Sequence, residues 1–243
     1  TQELKREPVP ETWQRLGGRG LIARIMVDEV DATCDPLGPG NKLIFTPGLL
    51  VGHTLSSTDR ISVGGKSPLT GGIKEANAGG RTGYHMAFMG IHALILEDMP
   101  EKDGYWVLHL SLNDGAKWER ADELVGLGVY ETAPKLIEKY GDKVAISLIG
   151  PGGEMRMKSA GIQNLDKDKI PSRIAARGGL GAVMGSKGLK AIVFDHIGGQ
   201  KPPIADVEAF KVAQKDYTQS VMNHPQSVTY REYGTQAMPQ MTQ

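Results

Sequence analysis

The sequence predicts a mixed α+β fold, and three observations carry that prediction. Short apolar runs bounded by turn residues outnumber stretches with helical periodicity. One of those runs alternates with period two into an Asn-Asp-Gly turn, as hairpins do. And 31 of the 32 glycines precede residue 200, beyond which a helical pattern with only Gly234 takes over.

Taken in order, Glu11–Val30 has helical periodicity interrupted by Gly17-Gly18, so Glu11–Leu16 and Leu21–Val30 read as separable pieces. Leu43–Thr46, Ala93–Glu97, Val144–Ile149 and Ala191–Phe194 are short apolar runs of the kind that buried strands show. Trp106, Leu108, Leu110 and Leu112 alternate along one strand, Asn113-Asp114-Gly115 turns the chain, and Ala116–Arg120 returns as the second arm. Thr132–Tyr140 reads as a helix stopped by Gly141. Gly198-Gly199 and Pro202-Pro203 form a linker signal, which divides the chain into domains 1–200 and 201–243. Past it, Val207, Phe210, Ala213, Tyr217 and Val221 recur at spacings of three and four, an amphipathic helix ending near His224-Pro225. With only a polar, Met-containing tail after it, that helix reads as the first element of a further helical domain.

The 243 residues carry 28 basic and 28 acidic side chains, so no net charge marks the chain for nucleic acid or a membrane surface. No run approaches the ~18 apolar residues of a membrane span. Thr1–Pro10 is too polar for a secretory signal, and the cytoplasm is the expected compartment. One cysteine, Cys34, cannot by itself close a disulfide, hold structural zinc or bind an iron–sulfur cluster.

Two segments concentrate the unusual chemistry. Gly64 to Gly90 holds eight glycines in 27 residues; Arg60 precedes it, and Asn77 and Arg81 lie inside it. Ser172 to Lys187 contains Arg173-Ile174-Ala175-Ala176-Arg177 followed by a second glycine run. Small residues let backbone groups approach a flat or anionic ligand, and arginine grips a phosphate with a planar fork. Two such clusters suit a large polar ligand held from both sides; the plainer reading is tight turns and bulges in a β-rich fold. Neither segment is a nucleotide loop. Arg177-Gly-Gly-Leu-Gly lacks the G-x-G-x-x-G spacing, and Gly65-Lys66-Ser67 has Arg60 where a Walker loop needs its first glycine.

The remaining candidates are weaker. His53, His85, His92, His109, His196 and His224 include no pair at the spacing of a helical metal site. His85 and His92 flank a short helix beside Gly90, where a site-lining role is open; His109 reads as a cross-strand or surface residue. Glu154, after Gly152-Gly153, reads as the cap of a turn or as a partner for a ligand amine. Asp28, Glu29, Asp31 and Asp35 form a solvated acidic run, and Ser56-Ser57-Thr58 has no neighbouring base to make a nucleophile.

Together the segments resemble the N-terminal domain of the aldehyde ferredoxin oxidoreductase family, the tungsten bis-pyranopterin enzymes. The matching stretches, in family order, are Gly17-Gly18-Arg19-Gly20-Leu21, Lys66-Ser67-Pro68-Leu69-Thr70-Gly71, Ala76-Asn77-Ala78-Gly79-Gly80, Phe88-Met89-Gly90, Ile149-Gly150-Pro151-Gly152-Gly153-Glu154 and the run from Arg177 through Ile192. The resemblance implies two β-sheets that form a base for two pyranopterins and a tungsten (or molybdenum) ion. By position it implies that Arg60 binds pterin phosphate, beside a Mg2+ ion bridging the two pterins, with Asn77 and Gly79 in the same region. It implies that Arg173, Ile174, Ala176 and Arg177 form a second pterin segment, and that the Asn77 and Ile174 carbonyls ligate the Mg2+. Ile174 and Ala176 stand where the family often has alanine and glycine, which alters the packing there.

The activity implied is oxidation of aldehydes to carboxylic acids, with electrons passed through a 4Fe-4S cluster to ferredoxin. Reduction of aromatic acyl-CoA thioesters is the family's other chemistry. The cluster cysteines and acid/base residues belong to later family domains, so this chain reads as a fragment or as one subunit of a split enzyme. No catalytic residue is assigned in it. A non-catalytic pterin-binding or assembly subunit is the alternative. Expected partners are the remaining domains or subunits, a ferredoxin-like acceptor and a second copy in a homo-oligomer.

Overall fold

Two sheets organise the first 200 residues of this computed structural model, which describes residues 2–241. Strands β1 (Leu43–Pro47), β2 (Ile61–Lys66), β3 (Ile73–Ala78) and β4 (Leu94–Leu96) form an antiparallel sheet in the order β3-β2-β1-β4. Strands β5 (Trp106–Ser111), β6 (Gly115–Arg120), β7 (Ala145–Leu148), β8 (Ile162–Asn164), β9 (Arg173–Ala175) and β10 (Leu189–Asp195) form the second, ordered β6-β5-β10-β7-β8-β9. Only β10 and β5 run parallel in it; every other pair is antiparallel. The connecting helices are α1 (Gly18–Glu29), α2 (Thr82–Phe88), α3 (Val129–Tyr140), α4 (Pro151–Glu154) and α5 (Leu180–Ser186).

Alternation along the strands assigns each side chain to a layer. Leu43 and Phe45 of β1, with Ile192 and Phe194 of β10, join the core shared by both sheets, α2 and α5. Ile44 points the other way, to Leu21, Ile22, Ile25 and Met26 of α1. Ala191 and Val193 of β10 likewise face Ala133 and Leu136 of α3. Each sheet is therefore covered on both faces, which is why β1 and most of β10 read as apolar runs. Burying each large side chain of α1 contributes roughly 1.5–3 kcal/mol, enough to hold a 12-residue helix that is marginal alone.

The chain divides into two units, one of residues 2–53 and 57–202, the other of Thr54–Ser56 with the residues from Pro203 onward. The second unit contains α6 (Val207–Asn223), α7 (Pro225–Tyr233) and the short α8 (Met238–Met241). Asp206 Oδ1 caps α6 by accepting from Ala209 N, at 2.9 Å. Tyr217 of α6 donates to the Ser56 carbonyl at 3.0 Å. The helix expected to end near His224-Pro225 ends at Asn223; beyond it, where the sequence suggests only a polar tail, Pro225 is the first residue of α7, where a missing N–H costs nothing.

Candidate functional site

The two glycine- and arginine-rich segments meet where the sheets do. β3 is the edge of the first sheet, β9 is the edge of the second, and the two strands are neighbours. Gly80, just past β3, has φ +101°, and a Cβ there would lie 2.6 Å from the Leu165 carbonyl oxygen. Only glycine lets the backbone pass so close. Arg81 N–H then donates to that same carbonyl at 2.9 Å.

A buried polar triad pins the junction. The Thr82 and Ser147 hydroxyls reach Asn164 Oδ1 at 3.1 and 2.6 Å, and Asn164 Nδ2 donates to the Arg173 carbonyl at 3.1 Å. All three side chains are fully buried, so a lost partner would leave a desolvated group. The triad thus joins the start of α2, which follows the Asn77–Gly79 arm, to β9, which carries Arg173 and Ile174.

Arg60 immediately precedes β2, and its Nε donates to Asn77 Oδ1 of β3, with Nη2 3.5 Å from the Asn77 carbonyl. A Cβ on Gly79 would lie 3.7 Å from Arg173 Cδ and 3.8 Å from Arg60 Nη1, so both arginines border that glycine. Arg60, Asn77, Gly79 and Arg173 are therefore brought together. Ile174, Ala176 and Arg177 continue along β9 and its exit, all exposed, while Ala175 between them enters the core. The exit is fixed by Ser67 Oγ, which donates to the Gly178 carbonyl at 2.7 Å. Among the described residues, Arg60, Arg173 and Arg177 form no salt bridge with a carboxylate.

Asp166 braces the loop before β9. It accepts from Ser172 Oγ at 2.7 Å and from the Asp168 and Ile170 amides at 2.9 and 3.0 Å. Burial pushes its carboxyl up, but these hydrogen bonds and the Arg173 charge outweigh that and hold it below the ordinary carboxylate range. Guanidinium forks without carboxylate partners, bordering a glycine at an open edge, fit the phosphates of an anionic cofactor. Among the described residues no group of three or more His, Cys, Asp or Glu could hold a metal ion.

Other sequence candidates have structural roles. Both oxygens of the Glu154 carboxylate are engaged, one by the buried Lys190 ammonium and the other by the Gly126 amide at 2.8 Å. His85 is buried, with Nδ1 2.9 Å from the Phe194 carbonyl, and lines no open site. His92 Nε2 lies 3.1 Å from the Trp13 carbonyl, and His109 packs its ring 4.7 Å from that of Tyr140.

Two of the openings among the described residues lie in the first unit. The larger, about 610 Å3, lies by β4 and β5 and contains none of the sequence-predicted site residues. Its Lys187 donates to the Asn41 and Asp98 carbonyls at 2.6 and 2.9 Å, and burial pushes its pKa down to about 8. The smaller, about 360 Å3, is bounded by Arg60 and Asn77 together with Gly18, Ser62 and Glu75. Ser62 and Glu75 escape the sequence reading. The signal for them is the alternation Glu75-Ala76-Asn77-Ala78, in which Ala76 and Ala78 enter the core and the polar pair share the opposite face.

Residues 1–196 match the family model described as aldehyde ferredoxin oxidoreductase, N-terminal domain. The chain is 39% identical over 223 residues to the tungsten-containing aldehyde ferredoxin oxidoreductases of Pyrococcus furiosus and Thermococcus kodakarensis, covering 90% of this chain and 34% of each relative. It is 28% identical over 237 residues to the aliphatic sulfonate oxidoreductase, WOR-like subunit, of Pyrococcus furiosus, covering 91% of this chain and 36% of that one. Among solved structures, the active site complex BamBC of benzoyl coenzyme A reductase with 1,5 dienoyl-CoA matches with a TM-score of 0.77 and 30% identity, over 87% of this chain and 31% of that one. The chain spans about a third of the length of these curated relatives. Among the described residues, no helix is long and apolar enough to cross a membrane.

Proposed function

The chain belongs to the aldehyde ferredoxin oxidoreductase family, and on that premise we propose that it is the cofactor-binding N-terminal part of a tungsten-dependent oxidoreductase. One observation carries the reading: two exposed arginines that form no salt bridge with a carboxylate among the described residues border Gly79 where the edges of two sheets meet. Arg60 and Arg173 would each grip pterin phosphate through a planar fork. The carbonyls of Asn77 and Ile174 would ligate a Mg2+ ion that neutralises those phosphates, as hard oxygen donors do. Gly79 and Ala176 would let the backbone approach the ligand, with Arg177 as a further anchor. When bound, the tungsten bis-pyranopterin supplies the redox chemistry that takes an aldehyde to a carboxylic acid. The chain's own part is to bind, orient and neutralise.

The rest of the enzyme would supply what this chain lacks, namely the cysteines of a 4Fe-4S cluster and the route to a ferredoxin-like acceptor. The α6–α7 unit is the beginning of a following helical domain, 201–243, on this reading; neither helix buries a residue. The working enzyme would be a cytoplasmic homo-oligomer. The likeness to the benzoyl coenzyme A reductase complex favours a second reading, in which the same seat serves reduction of an aromatic acyl-CoA thioester.

Arg60→Ala and Arg173→Ala in the full-length protein test the seat. Each removes a charge-assisted, two-pronged contact of roughly 1.5–3 kcal/mol, so pterin and tungsten retention should weaken about tenfold or more. Unchanged occupancy in both variants would refute the assignment.

A further inference from the structure

We infer that Ser62 and Glu75 are positioning residues that aim the Arg60 guanidinium through the Asn77 amide. The inference rests on the cofactor-seat reading above and extends it to two residues that touch no phosphate. Four hydrogen bonds converge on the Glu75 carboxylate: three run in series from Arg60, and the fourth arrives from Arg19 on the other side. Arg19 Nε donates to Glu75 Oε2 at 3.2 Å, and Ser62 Oγ donates to Glu75 Oε1 at 2.7 Å. Asn77 Nδ2 donates to Ser62 Oγ at 3.1 Å, and Arg60 Nε donates to Asn77 Oδ1.

The direction is dictated by chemistry. An ionised carboxylate can only accept, so Glu75 takes the single proton of the Ser62 hydroxyl. Ser62 is left with lone pairs to offer, which selects the NH2 end of the Asn77 amide. That choice turns Oδ1 toward Arg60, where it takes the Nε proton. Nη1 then remains available to an anion, while Nη2 keeps one long contact, 3.5 Å, to the Asn77 carbonyl and has its second hydrogen to offer. An amide turned the other way would set an N–H against Nε–H and push the fork aside.

The surroundings make the arrangement rigid at its base. Ser62 is buried at 4% exposure, and the Glu75 side chain at 8%. Ser62 and Asn77 are cross-strand partners in β2 and β3, and Glu75 is on the same face two residues earlier. Gly18, at the start of α1, comes close enough that a Cβ there would lie 3.3 Å from Ser62 Oγ. The Gly18 backbone is fixed in turn by Thr46 Oγ1, which donates to its carbonyl at 3.0 Å. The exposed end is Arg60, whose rotamer freedom would otherwise be lost only on binding.

The test measures release of pterin and metal from the full-length holoenzyme during dilution into chelator, with the thermal midpoint as a folding control. Ser62→Ala and Glu75→Ala should each speed release by between about twofold and tenfold, the cost of immobilising one long side chain at the moment of binding. Glu75→Gln keeps an acceptor for the Ser62 hydroxyl and should release like the unmodified enzyme. In an Arg60→Ala background, Ser62→Ala should add nothing, since the group it aims is gone. If Arg60→Ala speeds release while Ser62→Ala and Glu75→Ala do not, the positioning role fails and the seat stands. If Arg60→Ala itself changes nothing, the seat fails with it. A Glu75→Gln variant as leaky as Glu75→Ala would overturn the directional argument in favour of simple charge.

Discussion

His85 is held in a setting that favours its neutral ring. Burial pushes its pKa down to about 4; the hydrogen bond with the Phe194 carbonyl opposes this, and the His196 and Arg81 charges add to it. The His196 ring, 3.9 Å away, is also pushed down, by burial and by Arg81. Because the folded value lies below the unfolded one of about 6.5, the unfolded chain takes up the extra proton between them. The contribution is thus full above pH 6.5 and falls as pH drops toward 4, by on the order of 3 kcal/mol. Amide-exchange protection in α2 and the end of β10, corrected for intrinsic rates, should therefore fall between pH 7 and pH 4.5. His85→Gln should flatten that dependence; an unchanged slope would place the titration elsewhere. Residue roles of this kind were scarcely legible beforehand. Nothing in the letters around His85 or Glu154 says that one enters the core and the other closes on a buried lysine 36 residues downstream, because both facts depend on tertiary neighbours.

At the scale of elements, the same Glu154 fastens three pieces together. Lys190 of β10, fully buried, donates to Glu154 of α4 and at 2.9 Å to the Leu127 carbonyl before α3. Tyr105 Oη donates to the Glu154 carbonyl at 2.9 Å. Removing one partner of such a pair leaves the other charge buried alone, so Lys190→Ala should cost about 3–5 kcal/mol. A melting midpoint unchanged in that variant would contradict the account. The elements that sequence periodicity found are those whose side chains do the packing: the β5–β6 hairpin around Asn113-Asp114-Gly115, and the runs that became β1, β4, β7 and β10. β2 was illegible for the opposite reason. Ile61–Lys66 is buried throughout, yet Gly64 has no side chain because Ile22 of α1 fills that space. β8 and β9, three residues each, are too short to show a period, and α7 was hidden behind Pro225, which starts it.

For the whole molecule, the arrangement depends on how two sheets, each with its own outer helix, meet at β3 and β9. Gly80 sets that distance, so Gly80→Ala should both strain the backbone at φ +101° and press a methyl on the Leu165 carbonyl. Lower thermal stability together with lower cofactor content is expected, read from the melting midpoint and from bound pterin; a variant normal in both would show that the junction tolerates a wider gap. Sequence motifs single out both arms of the proposed seat, since arginine among glycines is visible as composition. They could not show that the arms are adjacent, because that follows from sheet order and from the buried triad of Thr82, Ser147 and Asn164. The most direct test of the central claim is a crystal structure of the full-length enzyme with its cofactor bound. The account predicts phosphate oxygens within hydrogen-bond reach of the Arg60 and Arg173 guanidinium groups and a cation on the Asn77 and Ile174 carbonyls. A structure in which those arginines face side chains of the remaining domains, with the cofactor held elsewhere, would contradict it.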